Sequence, residues 1–180
     1  MPRRSRAARA SSTFAPTGCS FIPSMRPAAS LTTARSWPPC VRRSRAATAG
    51  ALAAVVWGLQ EPLDQRLFRC DYSDIALLGK AVTRGRGWRA AGYAIHAVNG
   101  AIFGLAFDEL RRRVRVGPRK LAVAAGLGEH LTLYPLCYFV DRYHPARGEP
   151  GIPPLLTNQR AFAQATWRHA LFGLVFGRLA

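Results

Sequence analysis

Long apolar stretches of this sequence enclose six ionisable side chains: Glu61, His96, Glu129, His130, Arg168 and His169. An ionisable group inside a membrane-length apolar stretch is costly to place, so each of these residues is a candidate for a structural or functional role. At a helical rise of about 1.5 Å per residue, Arg168 and its neighbours fall near the middle of their stretches. Glu61 falls nearer an outer edge. We treat the six as one candidate buried polar network.

Two of these histidines share a helix face with glycines spaced four residues apart. The two sets are His96, Gly100 and Gly104, and His169, Gly173 and Gly177. Glycines at this spacing let helix backbones approach closely. We therefore favour helix packing, with each histidine hydrogen-bonded across an interface.

Three other kinds of chemistry fit the same side chains. The histidines and Glu129 could form a proton or ion path, His96 and His169 could hold a haem, and Glu129 with His130 could bind a metal. The sequence has no HExxH motif and no paired Glu-x-x-His motif, and no phosphate loop or nucleophile elbow. We therefore expect no cofactor, no metal and no catalytic residue.

Arg168 needs a partner of opposite charge if it lies in a membrane. An arginine at the centre of a span costs about 2.5–3.5 kcal/mol on insertion scales. Glu129 is the acid at the most similar depth, on the preceding antiparallel stretch. The sequence therefore predicts an ion pair between Glu129 and Arg168.

Four apolar stretches are long enough to cross a bilayer, which takes about 17–25 helical residues. They run over residues 46–63, 90–107, 121–140 and 161–179. Basic residues lie between the stretches and not along one face of each, whereas a soluble helix carries a solvated polar stripe. We expect an all-α transmembrane bundle of four helices. The alternative is a soluble all-α domain with four buried helices.

The distribution of arginines predicts the orientation of this bundle. The segment between the second and third stretches is the most densely basic, and basic loops stay in the cytoplasm. Both termini are then cytoplasmic, and Cys70 faces outward. The four cysteines have no CxxC spacing, so they indicate neither a disulfide framework nor a zinc site.

The second half of the sequence matches the first at a shift of 73 residues without a gap. The matched pairs are Pro62 with Pro135, Arg69 with Arg142, His96 with His169, Gly100 with Gly173, Phe103 with Phe176 and Gly104 with Gly177. We expect two tandem helical hairpins in parallel orientation, over residues 46–110 and 119–180. Each hairpin has a proline-ended span, an external loop and a His/Gly span.

Residues 1–45 differ in composition from the rest of the chain. They contain nine arginines and no acidic residue, in a context rich in Ser, Pro and Ala. Such a segment buries too little apolar surface to offset its ordering entropy, so we expect a disordered basic tail. A transit peptide and a basic arm on an anionic membrane face are two alternatives. We favour a true start of translation near Val41 or a plain bacterial tail, because the bias toward Arg and Ala persists throughout the chain.

The loop after the first stretch carries a weaker signal. Ser73 or Asp74 could cap a short helix through Leu78, whose apolar face could lie on the membrane surface. An ordinary interfacial linker is the interpretation we prefer.

Several short motifs resemble those of a family of small actinobacterial integral membrane proteins. They are Tyr72-Ser73-Asp74, Leu77-Leu78-Gly79, the span of His96, Gly100 and Gly104, Asp141-Arg142-Tyr143-His144-Pro145, Leu155-Leu156-Thr157-Asn158 and Trp167-Arg168-His169. The resemblance covers residues 46–180. It implies a location in the bacterial inner membrane and implies no activity.

Three functions follow as hypotheses. The first is a non-enzymatic integral membrane protein with a structural or interaction role, in contact with the lipid bilayer and with a homo-oligomer left open. The second is a small transporter or an ion-path component that uses the midplane His, Glu and Arg residues. The third is a soluble nucleic-acid-binding protein, suggested by the net charge of +17. Nucleic acid is not an expected partner, because nine of the arginines lie in the tail instead of on a folded face.

Overall fold

The computed structural model describes residues 38–180, and this part of the chain is all-helical, without a strand. The helices are α1 (Pro39–Phe68), α2 (Asp74–Val82), α3 (Trp88–Arg113), α4 (Pro118–Leu133), α5 (Cys137–Tyr143) and α6 (Gln159–Leu179), with a 3₁₀ turn at Tyr134–Leu136 between α4 and α5. The predicted all-α class is confirmed. All four predicted apolar stretches lie on helices.

Helix α1 begins at Pro39, inside the segment predicted to be a disordered tail. The prediction is therefore wrong for residues 39–45, which are helical. Proline suits the first turn of a helix, because the N–H groups there have no acceptor within the helix. Arg42 Nε holds this first turn against α3 by donating to Asp108 Oδ1 at 2.8 Å. The rest of the predicted tail, residues 1–37, lies outside the described residues.

The two prolines expected to end spans behave differently. Pro62 lies inside α1, which continues to Phe68. Pro135 lies in the 3₁₀ turn that interrupts the third predicted stretch. A proline removes one helical hydrogen bond and crowds the preceding turn. Helix α1 continues past Pro62, whereas α4 ends just before Pro135.

Glycines bring α1 against α3 at backbone distance. A Cβ atom at Gly100 would lie 2.3 Å from the carbonyl oxygen of Gly50, and one at Gly104 would lie 2.0 Å from that of Ala46. Neither position has room for a side chain unless the helices separate, so these two helices form a closely packed pair.

Helices α4 and α6 pack in a similar way. A Cβ at Gly173 would lie 2.6 Å from Val123 Cα, and one at Gly177 would lie 3.1 Å from the Ala122 Cβ. Aromatic rings fill the space between the two helix pairs: Phe172 and Phe176 of α6 contact Phe103 of α3 edge-on at centroid distances of 4.9 and 5.4 Å.

The loop between α1 and α3 contains a helix where we preferred a linker, so that preference is wrong. The Ser73 side chain caps α2 by accepting a hydrogen bond from the Ala76 amide at 3.0 Å. Ile75 and Ala76 are buried against the bundle. The α5–α6 loop packs on the same helix: His144 Nε2 donates to the Leu77 carbonyl at 2.9 Å.

Within the described residues, α3 is the one helix that passes a length and hydropathy test for crossing a membrane. Only 28% of its apolar 18-residue stretch is buried, which is unlike a core helix of a soluble protein. Helix α4 has 16 residues and stops at the 3₁₀ turn. The predicted bundle of four membrane spans stays a prediction.

Candidate functional site: a buried arginine cluster and an adjoining cavity

Arg168 is completely buried, and all five of its guanidinium N–H groups have acceptors. Nε and Nη2 donate to the two carboxylate oxygens of Asp64 at 2.7 and 2.6 Å. Nη1 donates to Asp74 at 2.8 Å and to Glu61 at 3.4 Å. Nη2 also donates to the Tyr72 carbonyl at 2.9 Å. The two-pronged contact with Asp64 uses the planar geometry that distinguishes arginine from lysine.

Helix periodicity places two of these acids on one face of α1. Glu61 and Asp64 are three residues apart, so both point toward α6. On α6, Gln164 lies one turn before Arg168, and its amide nitrogen donates to Asp64 at 2.5 Å. Glu61 and Asp64 are nearly as buried as Arg168, at 6% and 2% exposure.

Glu61 joins the cluster to the beginning of α2. It accepts hydrogen bonds from the Ser73 hydroxyl at 2.5 Å and from the backbone amides of Asp74 at 2.8 Å and Ile75 at 3.3 Å. The first amides of a helix have no partners within the helix and carry partial positive charge. A carboxylate from α1 therefore stabilises α2 in its folded-back position.

Asp74 is the third acid of the cluster. Besides Arg168 it accepts from Trp57 Nε1 at 3.0 Å and from the Tyr72 hydroxyl at 2.5 Å. Burial by itself disfavours the ionised form, but Arg168, His96 and the Tyr72 hydroxyl together hold the pKa of Asp74 below its ordinary value. Asp74 is therefore ionised beside the guanidinium, which also contacts the carboxyl groups of Glu61 and Asp64.

The predicted ion pair between Glu129 and Arg168 is wrong. Arg168 pairs with Glu61, Asp64 and Asp74, whereas Glu129 is exposed on α4. Helix α1 continues past Pro62 and so carries Asp64 into the bundle. The fold-back of α2 adds Asp74, and both acids lie outside the stretches used to search for a partner.

Three histidines adjoin the cluster. His169 Nδ1 donates to the Ala165 carbonyl at 2.8 Å, within its own helix. His130 Nε2 lies 2.9 Å from the Thr166 hydroxyl oxygen, and this hydrogen bond joins α4 to α6. The buried Nε2 atom of His96 has no hydrogen-bond partner among the described residues. The hydrogen bond across an interface that we favoured for His96 and His169 is therefore wrong for both among the described residues. His130, for which it was not predicted, makes one.

Trp57 connects the histidines to the cluster. Its ring meets His96 and His169 edge-on, at centroid distances of 4.9 and 4.6 Å, while its Nε1 atom donates to Asp74. His130 and His169 lie 4.7 Å apart between ring centroids. Over residues 38–180, no group of three or more His, Cys, Asp or Glu side chains is arranged to hold a metal ion.

A cavity of about 420 Å³ lies beside these groups, between the two helix pairs. Trp57, His96 and His169 line its inner part together with Asp74. Its outer residues include exposed side chains from α3 and α4, which are Asn99, Glu129 and Leu133. The cavity therefore joins the buried polar region to the outer surface between α3 and α4.

Of the six residues predicted as a buried network, Glu61 and Arg168 are in direct contact, while His96, His130, His169 and Glu129 line the cavity. Asp64, Asp74, Trp57 and Tyr72 were missed. One signal could have identified Asp64: it follows Glu61 at the three-residue spacing of a continuing helix.

No protein-family model, curated protein or solved structure matches this chain.

Proposed function

We propose that this chain is a non-enzymatic integral membrane protein in which Arg168 holds the helices together from inside. The observation that carries the proposal is the distribution of polarity along α1, which buries charged side chains and exposes leucines. On α1 the buried face ends in Glu61 and Asp64, while the opposite face exposes Leu52, Leu59 and Leu63 at 50%, 66% and 68%. Several buried charges opposite a row of exposed leucines are unusual in a soluble protein.

The other helices also expose large apolar side chains. Exposed large apolar side chains include Val98 and Ile102 on α3, Phe139 on α5 and Leu174 on α6. Large exposed apolar surfaces mark contact with a membrane or another protein. A surrounding lipid bilayer would explain apolar faces on several sides of the bundle at once. A membrane location also agrees with the resemblance to inner-membrane proteins.

A paired substitution tests the membrane location. Leu52→Lys places a charge on the apolar face of α1, where bilayer insertion costs about 3 kcal/mol and a water-exposed site would change stability by less than about 0.5 kcal/mol. Val116→Lys is the matched control, because Val116 is 47% exposed but lies between α3 and α4.

We expect the wild type and Val116→Lys to remain in carbonate-washed membranes and Leu52→Lys to be depleted from them. Recovery of wild type and Leu52→Lys from the soluble fraction in equal amounts would contradict the membrane proposal.

A small transporter or proton-path component is the second candidate. It is favoured by three carboxylates around one guanidinium beside a cavity lined by histidines. Its test is proton flux in proteoliposomes, with His96→Ala compared with wild type. Flux that exceeds protein-free vesicles and falls in the variant supports transport. Flux equal to that of protein-free vesicles would contradict transport and favour the structural role.

A further inference from the structure

The cavity between the helix pairs has a one-sided charge. Its lining contains the carboxyl groups of Asp74 and Glu129 and no lysine or arginine. Arg168, the nearest guanidinium, is completely buried behind Asp74 and is in contact with three carboxylates. Two acidic residues and no basic one in the lining therefore favour a cationic ligand over an anionic one.

The walls of the cavity are mostly apolar and aromatic. Trp57, Phe103, Tyr134 and Phe172 contribute rings, and Leu133 and Leu136 lie near the outer end. Aromatic faces attract cations, and the attraction is larger where water is excluded. A volume of about 420 Å³ lies in the range of small-molecule sites, which is about 300–1,000 Å³.

One buried polar atom in the lining lacks a partner. His96 is 9% exposed, and its Nε2 atom has no hydrogen bond among the described residues. With its ring proton on Nδ1, this nitrogen is an acceptor. An N–H group of a ligand would satisfy it, and a buried acceptor without a donor is unfavourable.

We infer that the cavity binds a protonated amine carrying a compact apolar body. The ammonium group lies toward Asp74 and donates to His96 Nε2, while the apolar body contacts the aromatic walls. Glu129 at the outer end attracts the cation on entry. The inference uses the proposed membrane location only for the route of entry, between α3 and α4.

Three adamantane derivatives of the same shape test this inference on protein purified in neutral detergent. They are adamantan-1-amine as the cation, adamantan-1-ol as the neutral compound and adamantane-1-carboxylate as the anion, and binding is measured by equilibrium dialysis. We expect the cation to bind at least about tenfold more tightly than the alcohol, equivalent to about 1.4 kcal/mol, and the carboxylate to bind most weakly.

Two variants assign the preference to the cavity. Glu129→Gln removes an exposed carboxyl group with no ion pair among the described residues, and it should lower the preference for the cation several-fold. His96→Phe keeps a ring and removes the acceptor, and it should also weaken cation binding. Glu109→Gln is the control, because Glu109 is a half-buried acid near the far end of α3, outside the cavity lining.

Equal binding of the amine and the alcohol would overturn the inference, because the cavity would then be merely apolar. So would tighter binding of the carboxylate, or a cation preference unchanged in both Glu129→Gln and His96→Phe. Because binding is measured in detergent, these outcomes are independent of the carbonate-wash test of membrane location.

Discussion

Replacing Arg168 should destabilise the protein more than replacing any other arginine of the described chain. Its guanidinium satisfies five N–H groups with three carboxylates and a carbonyl. Arg168→Ala leaves those carboxylates buried without their cation, and breaking a buried ion pair from one side costs about 3–5 kcal/mol. We expect a loss of free energy of unfolding at the upper end of that range.

Arg168→Lys is the more informative change because it keeps the charge. An ammonium group has three donors in place of five, so at least two charge-assisted hydrogen bonds are lost, at about 1.5–3 kcal/mol each. We expect a loss at the lower limit of that sum, about 3 kcal/mol, because the ammonium charge still neutralises the acids, so the loss is smaller than for alanine. The order of stability is therefore wild type, then lysine, then alanine.

Unfolding of the purified protein in mixed micelles, followed by tryptophan fluorescence, measures these differences. Arg178→Ala is the matched control on the same helix: its guanidinium is exposed and donates to the Leu174 carbonyl at 3.3 Å. It should change stability by less than about 0.5 kcal/mol. If Arg168→Ala costs no more than Arg178→Ala, the role assigned to the cluster is wrong.

A double-mutant cycle identifies the partner. The coupling between Asp64→Asn and Arg168→Gln should reach about 1–3 kcal/mol, as expected for groups in one ion-pair network. The same cycle with Glu129→Gln should give a value close to zero. A coupling that is larger with Glu129 than with Asp64 would restore the pairing predicted from the sequence.

Three further results are expected. Gly100→Leu should reduce folded yield far more than His96→Ala, because a Cβ at Gly100 would already lie 2.3 Å from the Gly50 carbonyl oxygen; the readout is the monodisperse fraction in size-exclusion chromatography, and equal yields would contradict it. In a cysteine-free background, an impermeant thiol reagent should label Arg86→Cys in intact cells and Arg115→Cys only after lysis, because the α3–α4 side carries the denser positive charge; the reverse pattern would invert the orientation. Ser73→Ala should cost about 1 kcal/mol by removing the cap of α2, measured by thermal unfolding, and an unchanged midpoint would show that Glu61 caps α2 without it.

Cys70 is predicted from the sequence to face outward, but the orientation is better tested at introduced cysteines than at Cys70. Cys70 is 8% exposed and packs in a cluster with Tyr72 and Leu155. A lack of reaction at Cys70 would therefore report burial and not the side of the membrane.

The sequence by itself determined the helical class and the approximate positions of four helical stretches. Apolar stretches of bilayer length lie on α1, α3, α4 with α5, and α6, because helix formation depends mainly on local residue preference and periodicity. The glycine spacing likewise marked where backbones approach, as the contact between Gly100 and Gly50 shows. The spacing of small side chains along one helix face is visible in the sequence even when the partner helix is unknown.

Only the tertiary structure decided which groups meet Arg168. Its partners Asp64 and Asp74 are 104 and 94 residues away in sequence. Their approach depends on the extension of α1 beyond Pro62 and on the return of α2 into the bundle, where Glu61 caps it. Depth along a single helix constrains one coordinate of a side chain. An ion pair requires agreement in all three, and that agreement is set by how the helices pack.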